Sequence, residues 1–361
     1  MLGKTNSAVA RSGRVAFIIL FRTCVVSCFM RKKTATLFAF LLLFVLPAAA
    51  QEGARYAVLI GGLGGSPEHT EKFKTYLFEA RRALVEQVGL PAGNVTVLAE
   101  AALQGEPFVD DLSNAENITA TFEALAGRVG TDDQVYVVLF GHGSFDGTHA
   151  QLNIPRRDLN DAEYAALMDG LGAGRIVFVN TASASAPFAE VLSAPGRIVI
   201  TATRTGTQRN ETTFPAHFVA ALGDPAADLD HSGDLSVLEV FRYAAEHTAQ
   251  GYAQEGQLAT ENAMLEDTGD GVGVRLEDLA DSGEGSLASV TYLRRSTSLA
   301  AGADLATVGP LLRERDGLER DIAALKTRKP QLDEDAYYAQ LETLFVRLAR
   351  LNNDIEREAG E

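Results

Sequence analysis

VYVVLFGHGS, residues 135–144, joins an unbroken apolar run to a histidine held between two glycines. The run Val135 to Phe140 has no polar face, so it suits a strand covered on both sides. Similar runs recur at Tyr56–Ile60 (YAVLI), Val95–Leu98, Ile176–Val179 (IVFV) and Ile198–Ala202 (IVITA). Between them, Phe73, Leu77, Ala80, Leu84 and Val88 fall at helical spacing, and Ile118–Val129 and Glu163–Leu171 read as further helices. Apolar strands alternating with amphipathic helices predict a mostly parallel sheet inside a three-layer α/β/α sandwich. Ligands of such sheets sit beyond the carboxyl ends of the strands. Chemistry is therefore sought just after VYVVLF and just after IVFV.

The first of these places is Gly141-His142-Gly143-Ser144. A histidine there can serve as a general base beside backbone N–H groups that stabilise an oxyanion. It can equally be a turn residue among glycines that supply positive φ. The second place is Thr181-Ala182-Ser183-Ala184-Ser185. A nucleophile there would face the histidine, or Thr181 or Ser183 would be the N-cap of a helix.

Taken together, the two strand ends resemble the caspase-like cysteine peptidases, and within them the legumain (C13) family. Those proteins carry one apolar strand ending in His-Gly and a later one ending in Glu-Ala-Cys-x-Ser-Gly or Gln-Ala-Cys. VYVVLFGHGS is similar to the first element. IVFVNTASAS is similar to the second, with Ala182 on the motif alanine, Ser183 on the cysteine and Ser185 on the following serine. The resemblance spans roughly Arg55 to Asp270. It implies a caspase-like sandwich with His142 as base, Gly143 as oxyanion donor and Ser183 in the nucleophile position.

Serine in place of cysteine changes the chemistry. A thiol with a pKa near 8.5 ionises without a tightly bonded base, whereas a serine hydroxyl needs a base at hydrogen-bond distance, itself oriented by a third group. Asp146 is the nearest acidic residue in the sequence, and it reads as a loop residue. The leading expectation is an inactive peptidase fold acting as a binding or regulatory module for a peptide or protein. The alternative is a hydrolase using a Ser183–His142 dyad.

A third pattern runs from Asp228 to Glu239, DLDHSGDLSVLE. It fits the twelve-residue calcium-loop template, with acids at positions 1 and 3, glycine at 6, an apolar residue at 8 and glutamate at 12. The expected ligands are Asp228, Asp230, Ser232, Ser236 and Glu239 with the Asp234 carbonyl, and the exiting helix is Val237 to Gln254. An acidic turn that merely caps this helix is the plainer reading. Asp267, Asp270 and Gly271 suggest a second acidic turn without a complete ligand set.

The chain of 361 residues carries 32 Lys and Arg against 48 Asp and Glu, a formal charge of −16. This balance argues against a nucleic-acid partner, which requires a basic face. Residues 1–50 hold seven of the basic residues and none of the acidic ones. From Met30, MRKKTATLFAFLLLFVLPAAAQ has the basic, apolar and small-residue sections of a secretory signal, with Met30 the expected start and cleavage after Ala50. A retained membrane anchor is the other reading of that stretch. Export, periplasmic or secreted, follows from the first reading. The mature chain then holds 25 basic and 48 acidic residues and no cysteine, since Cys24 and Cys28 are removed. Thiol chemistry, disulfides and thiolate metal sites are excluded with them.

Three regions are expected: an N-terminal extension with signal peptide (1–50), a caspase/legumain-like domain with its EF-hand-like loop (51–285), and a coiled-coil-like helical region (286–361). In the last, Leu311, Leu312, Leu318, Ile322 and Leu325 would face Leu341, Leu344, Leu348, Leu351 and Ile355 across a hairpin broken at Pro330. Arg204, just past IVITA, sits where this fold class places pocket residues. No histidines stand at zinc spacing, and Gly61-Gly62-Leu63-Gly64-Gly65 lacks the dinucleotide-binding order of glycines.

Overall fold

The computed structural model describes residues 53–295, 305–329 and 332–360. The signal-peptide reading of residues 1–50 lies outside the described residues. The strands are β1 (Arg55–Gly61), β2 (Val95–Ala99), β3 (Asp111–Leu112), β4 (Gln134–Phe140), β5 (Gly143–Phe145), β6 (Ala150–Leu152), β7 (Leu159–Asn160), β8 (Arg175–Asn180), β9 (Arg197–Thr201), β10 (Leu235–Ser236), β11 (Met264–Glu266) and β12 (Tyr292–Arg294). The helices are α1 (Pro67–Glu86), α2 (Ala115–Ala126), α3 (Asp161–Asp169), α4 (Pro187–Leu192), α5 (Phe214–Ala221), α6 (Val237–Gln254), α7 (Leu279–Ser282), α8 (Leu305–Thr327) and α9 (Glu334–Gly360).

Seven strands form one sheet in the order β11-β9-β8-β4-β1-β2-β3. All neighbours are parallel except β11, which runs antiparallel to β9. The side-chain period of two splits every central strand between the two faces. Leu59, Val138 and Val177 enter a core with α1, α5 and α6, while Val58, Val137 and Phe178 enter another with α2, α3 and α4. Burying each such side chain contributes about 1.5–3 kcal/mol, which is why these runs need no polar face. The result is a three-layer α/β/α sandwich.

Helix starts lie nearer the N-terminus than apolar spacing alone marks. Asn114 caps α2 by accepting from the Asn117 amide at 2.8 Å, so the helix begins at Ala115 and ends at Ala126 rather than spanning Ile118–Val129. Asn160 and Glu163 form a reciprocal capping box that starts α3 at Asp161. Ser66 caps α1, with Pro67 at its first turn.

From β1 the sheet builds outward to β2 and β3, and the chain then returns to the other side of β1 as β4. The order therefore reverses between β1 and β4, the place where sheets of this kind bind ligands, beyond the carboxyl ends of the strands. A small antiparallel sheet, β5-β6-β7, follows directly after His142.

Residues beyond 285 also pack on the sandwich: β12 pairs with β10, and Ala288 and Leu293 join the core. α8 and α9 pack through Leu318, Leu351 and Ile355, with Leu311, Leu344 and Leu348 at the margin. The Glu314–Arg347 ion pair at 2.8 Å tethers the same two helices. Among the described residues, no helix is long and apolar enough to cross a membrane.

Candidate functional site at the carboxyl edge of the sheet

The two glycines around His142 are required by close approach of the backbone. Gly141 has φ 153°, and a Cβ there would lie 3.1 Å from the Gly62 Cα, so the end of β4 is pressed against the turn after β1. A Cβ on Gly143 would collide with the Ser183 carbonyl oxygen. The two motifs are thus joined backbone to backbone. The Ser183 hydroxyl donates to the Gly143 carbonyl at 3.1 Å, and the Gly143 amide donates to Ser183 Oγ at 3.1 Å. Ser183 is buried.

The rest of the loop after β8 is tied down as well. Thr181 donates its hydroxyl to the Leu139 carbonyl at 2.7 Å, and the Thr212 hydroxyl donates to the Thr181 carbonyl at 2.6 Å. Ala184 holds a left-handed φ of 54° while its amide donates to the Gln208 carbonyl at 2.7 Å. Ser185 Oγ accepts from the Ala202 and Thr203 amides, binding this loop to the end of β9. Helix α4 starts only at Pro187, and its N-cap position is Ala186, so neither Thr181 nor Ser183 caps a helix.

The His142 ring is half-buried against α1. It meets Phe73 edge-on at 5.1 Å between ring centroids and His69 edge-on at 4.8 Å. Burial holds its pKa below the ordinary histidine value, and the neighbouring His69 adds to that, while Glu211 and the Gly64 backbone oppose it. No hydrogen bond joins the His142 ring to Ser183 among the described residues. Asp146 is spent elsewhere: its carboxylate accepts from the Thr148 and His149 amides, both at 2.8 Å, and shapes their turn.

His69 and Glu211 are the members of this site that sequence reading did not find. His69 Nδ1 lies 2.9 Å from Ser66 Oγ, and its Nε2 lies 3.2 Å from Glu211 Oε2. Lys72 donates to Glu211 Oε1 at 2.6 Å. Burial would raise the Glu211 carboxyl, but Lys72 and His69 outweigh it and hold it below its usual value. The glutamate therefore stays ionised behind His69. Beyond the ends of β8 and β9 lies a cleft of about 360 Å³, lined by Ala186, Glu190, Arg204, Met264, Asp270 and Val272.

The acidic loop forms a second, separate cluster. Asp228, Asp230 and Glu239 bring carboxylate oxygens within 4.8 Å of one another. Asp228 accepts from the Ser232 and Gly233 amides, at 3.0 and 2.9 Å. His231 and Gly233 take left-handed φ values of 57° and 82° that turn the backbone inward. Glu239 ties the loop's two ends together, with Oε1 accepting from Leu229 and Oε2 from the Ser236 amide and hydroxyl. The Ser232 hydroxyl accepts from the Asp234 amide. The Asp234 carboxylate instead turns toward Arg315, 3.7 Å away. Ser236 is also the N-cap of α6, which spans Val237–Gln254 as expected of an exiting helix.

No protein-family model and no curated protein matches this chain.

Proposed function

We propose that this chain is an exported caspase/legumain-like domain that has lost its nucleophile and serves as a binding module for a peptide or protein. The observation that carries the reading is the state of Ser183: its proton goes to the Gly143 carbonyl, and the Gly143 amide, which would stabilise an oxyanion, is taken by the same hydroxyl. Such a pair lacks both the base contact and the free donor that acyl transfer requires. The cleft beside Arg204 offers charges of both signs for a peptide side chain. In this reading the Asp228–Glu239 loop takes a calcium ion, whose hard oxygen-ligand preference fits the three carboxylates.

A Ser183–His142 hydrolase is the second reading, favoured by one observation: burial and His69 lower the His142 pKa, which favours the neutral ring a base needs. Incubation with a peptide-substrate library and a serine-directed fluorophosphonate separates the two. Retention of peptides without cleavage or labelling is expected. Labelling that disappears in both Ser183→Ala and His142→Ala would replace the binding reading with the hydrolase.

A further inference from the structure

A second group of carboxylates lies away from the calcium-like loop, where edge strand β11 ends. Glu266, Asp270 and Glu284 bring carboxylate oxygens within 4.8 Å of one another. Glu266 is fully buried and Glu284 nearly so, while Asp270 reaches the surface. Glu266 Oε1 accepts from the Gly269 and Asp270 amides at 2.6 and 3.1 Å. Gly269 and Gly271, with φ of 84° and 82°, curl the loop around this oxygen. Glu284 accepts from the Thr268 hydroxyl and the Asp267 amide. None of the three forms an ion pair among the described residues.

The observation that points to a ligand is the other oxygen of Glu266. Oε2 is buried and has no hydrogen-bond partner among the described residues. The neighbouring Ser193 hydroxyl makes no hydrogen bond of good geometry with it, and its own oxygen is buried and unpartnered too. A buried carboxylate oxygen without a donor costs on the order of 1–3 kcal/mol or more. A cation among the three residues would answer both the unpartnered oxygen and the closeness of three carboxylates.

We propose that Glu266, Asp270 and Glu284 form a second cation site, suited to calcium and independent of the Asp228–Glu239 loop. The donors are all oxygen, with no histidine or cysteine among them, which selects a hard ion over zinc or copper. The buried oxygens and the irregular loop suit calcium's flexible shell better than magnesium's strict octahedron. Asp270 also lines the 360 Å³ cleft, which gives the ion a path from solvent.

The test is equilibrium dialysis of the full chain against radioactive calcium at neutral pH, using Glu239→Gln to disable the other loop. Glu239→Gln is expected to retain one calcium per chain, and adding Asp270→Asn should weaken that ion at least about tenfold. Asp270 is exposed, so its variant tests the site without disturbing the core, and far-UV circular dichroism confirms that Glu266→Gln is folded before its loss of binding is scored. A Glu239→Gln chain that binds no calcium overturns the proposal. So does an ion that Asp270→Asn and folded Glu266→Gln both leave unchanged. Failure of the loop site would instead appear as one ion bound equally by the unmodified chain and Glu239→Gln.

Discussion

Ser183 and Gly143 satisfy each other in both directions, hydroxyl to carbonyl and amide to hydroxyl, each at 3.1 Å. The pair closes the junction between the loops after β4 and β8, so it is a structural bond. Ser183→Ala removes both hydrogen bonds and leaves a half-buried amide without its acceptor. A loss of about 0.5–1.5 kcal/mol in urea denaturation is expected. A variant as stable as the parent would show that the bond adds nothing to the fold.

His142 and His217 give the fold a pH dependence of defined sign. Burial depresses both, helped by His69 for His142 and by His247 for His217. The unfolded chain then binds protons at higher pH than the folded one, with an ordinary histidine value near 6.5. Their contribution is complete above that value and is lost as pH falls through it toward the folded values. Carboxylates titrate in the same range, so the difference between the parent and His142→Asn isolates the ring. The variant should lose less stability than the parent between about pH 7 and pH 5. Parallel profiles would rule out a depressed His142.

Glu211 acts on His142 through space, raising its pKa against burial. Glu211→Gln should therefore lower the His142 pKa further, read from the imidazole proton shifts in an NMR titration. The same variant frees His69 Nε2 and Lys72 from their shared acceptor. An upward or absent change at His142 would disconnect the glutamate from the site.

The strands were legible because a parallel sheet buried on both faces leaves apolar runs such as VYVVLF and IVFV, and their carboxyl ends fall where GHG and TASAS stand. Helix starts were less legible, since Asn114 and Asn160 cap through side chains that carry no apolar period. β11 escaped because it is a three-residue edge strand ending in Glu266. The His69–Glu211 contact joins residues 142 positions apart, and no local pattern announces such a pair. Sequence spacing placed Ser183 opposite the histidine motif, but the partner of its hydroxyl was a matter of folded geometry.

Calcium should raise the melting temperature of the chain. In the Asp228–Glu239 loop, three carboxylates lie within 4.8 Å of one another and are offset chiefly by backbone amides. An ion bound only by the folded state at a hundred times its Kd contributes about 2.7 kcal/mol, a shift of several degrees for a domain of this size. Magnesium should do less, because it sheds its water reluctantly and demands an octahedral shell. Glu239→Gln lowers the melting temperature even without calcium, since Glu239 also ties Leu229 to Ser236. The relevant quantity is therefore the calcium-induced shift within each variant, measured in EDTA and then in excess calcium. That shift should shrink in Glu239→Gln, with any remainder reduced further by Asp270→Asn. An undiminished shift in Glu239→Gln would remove the ion from this loop.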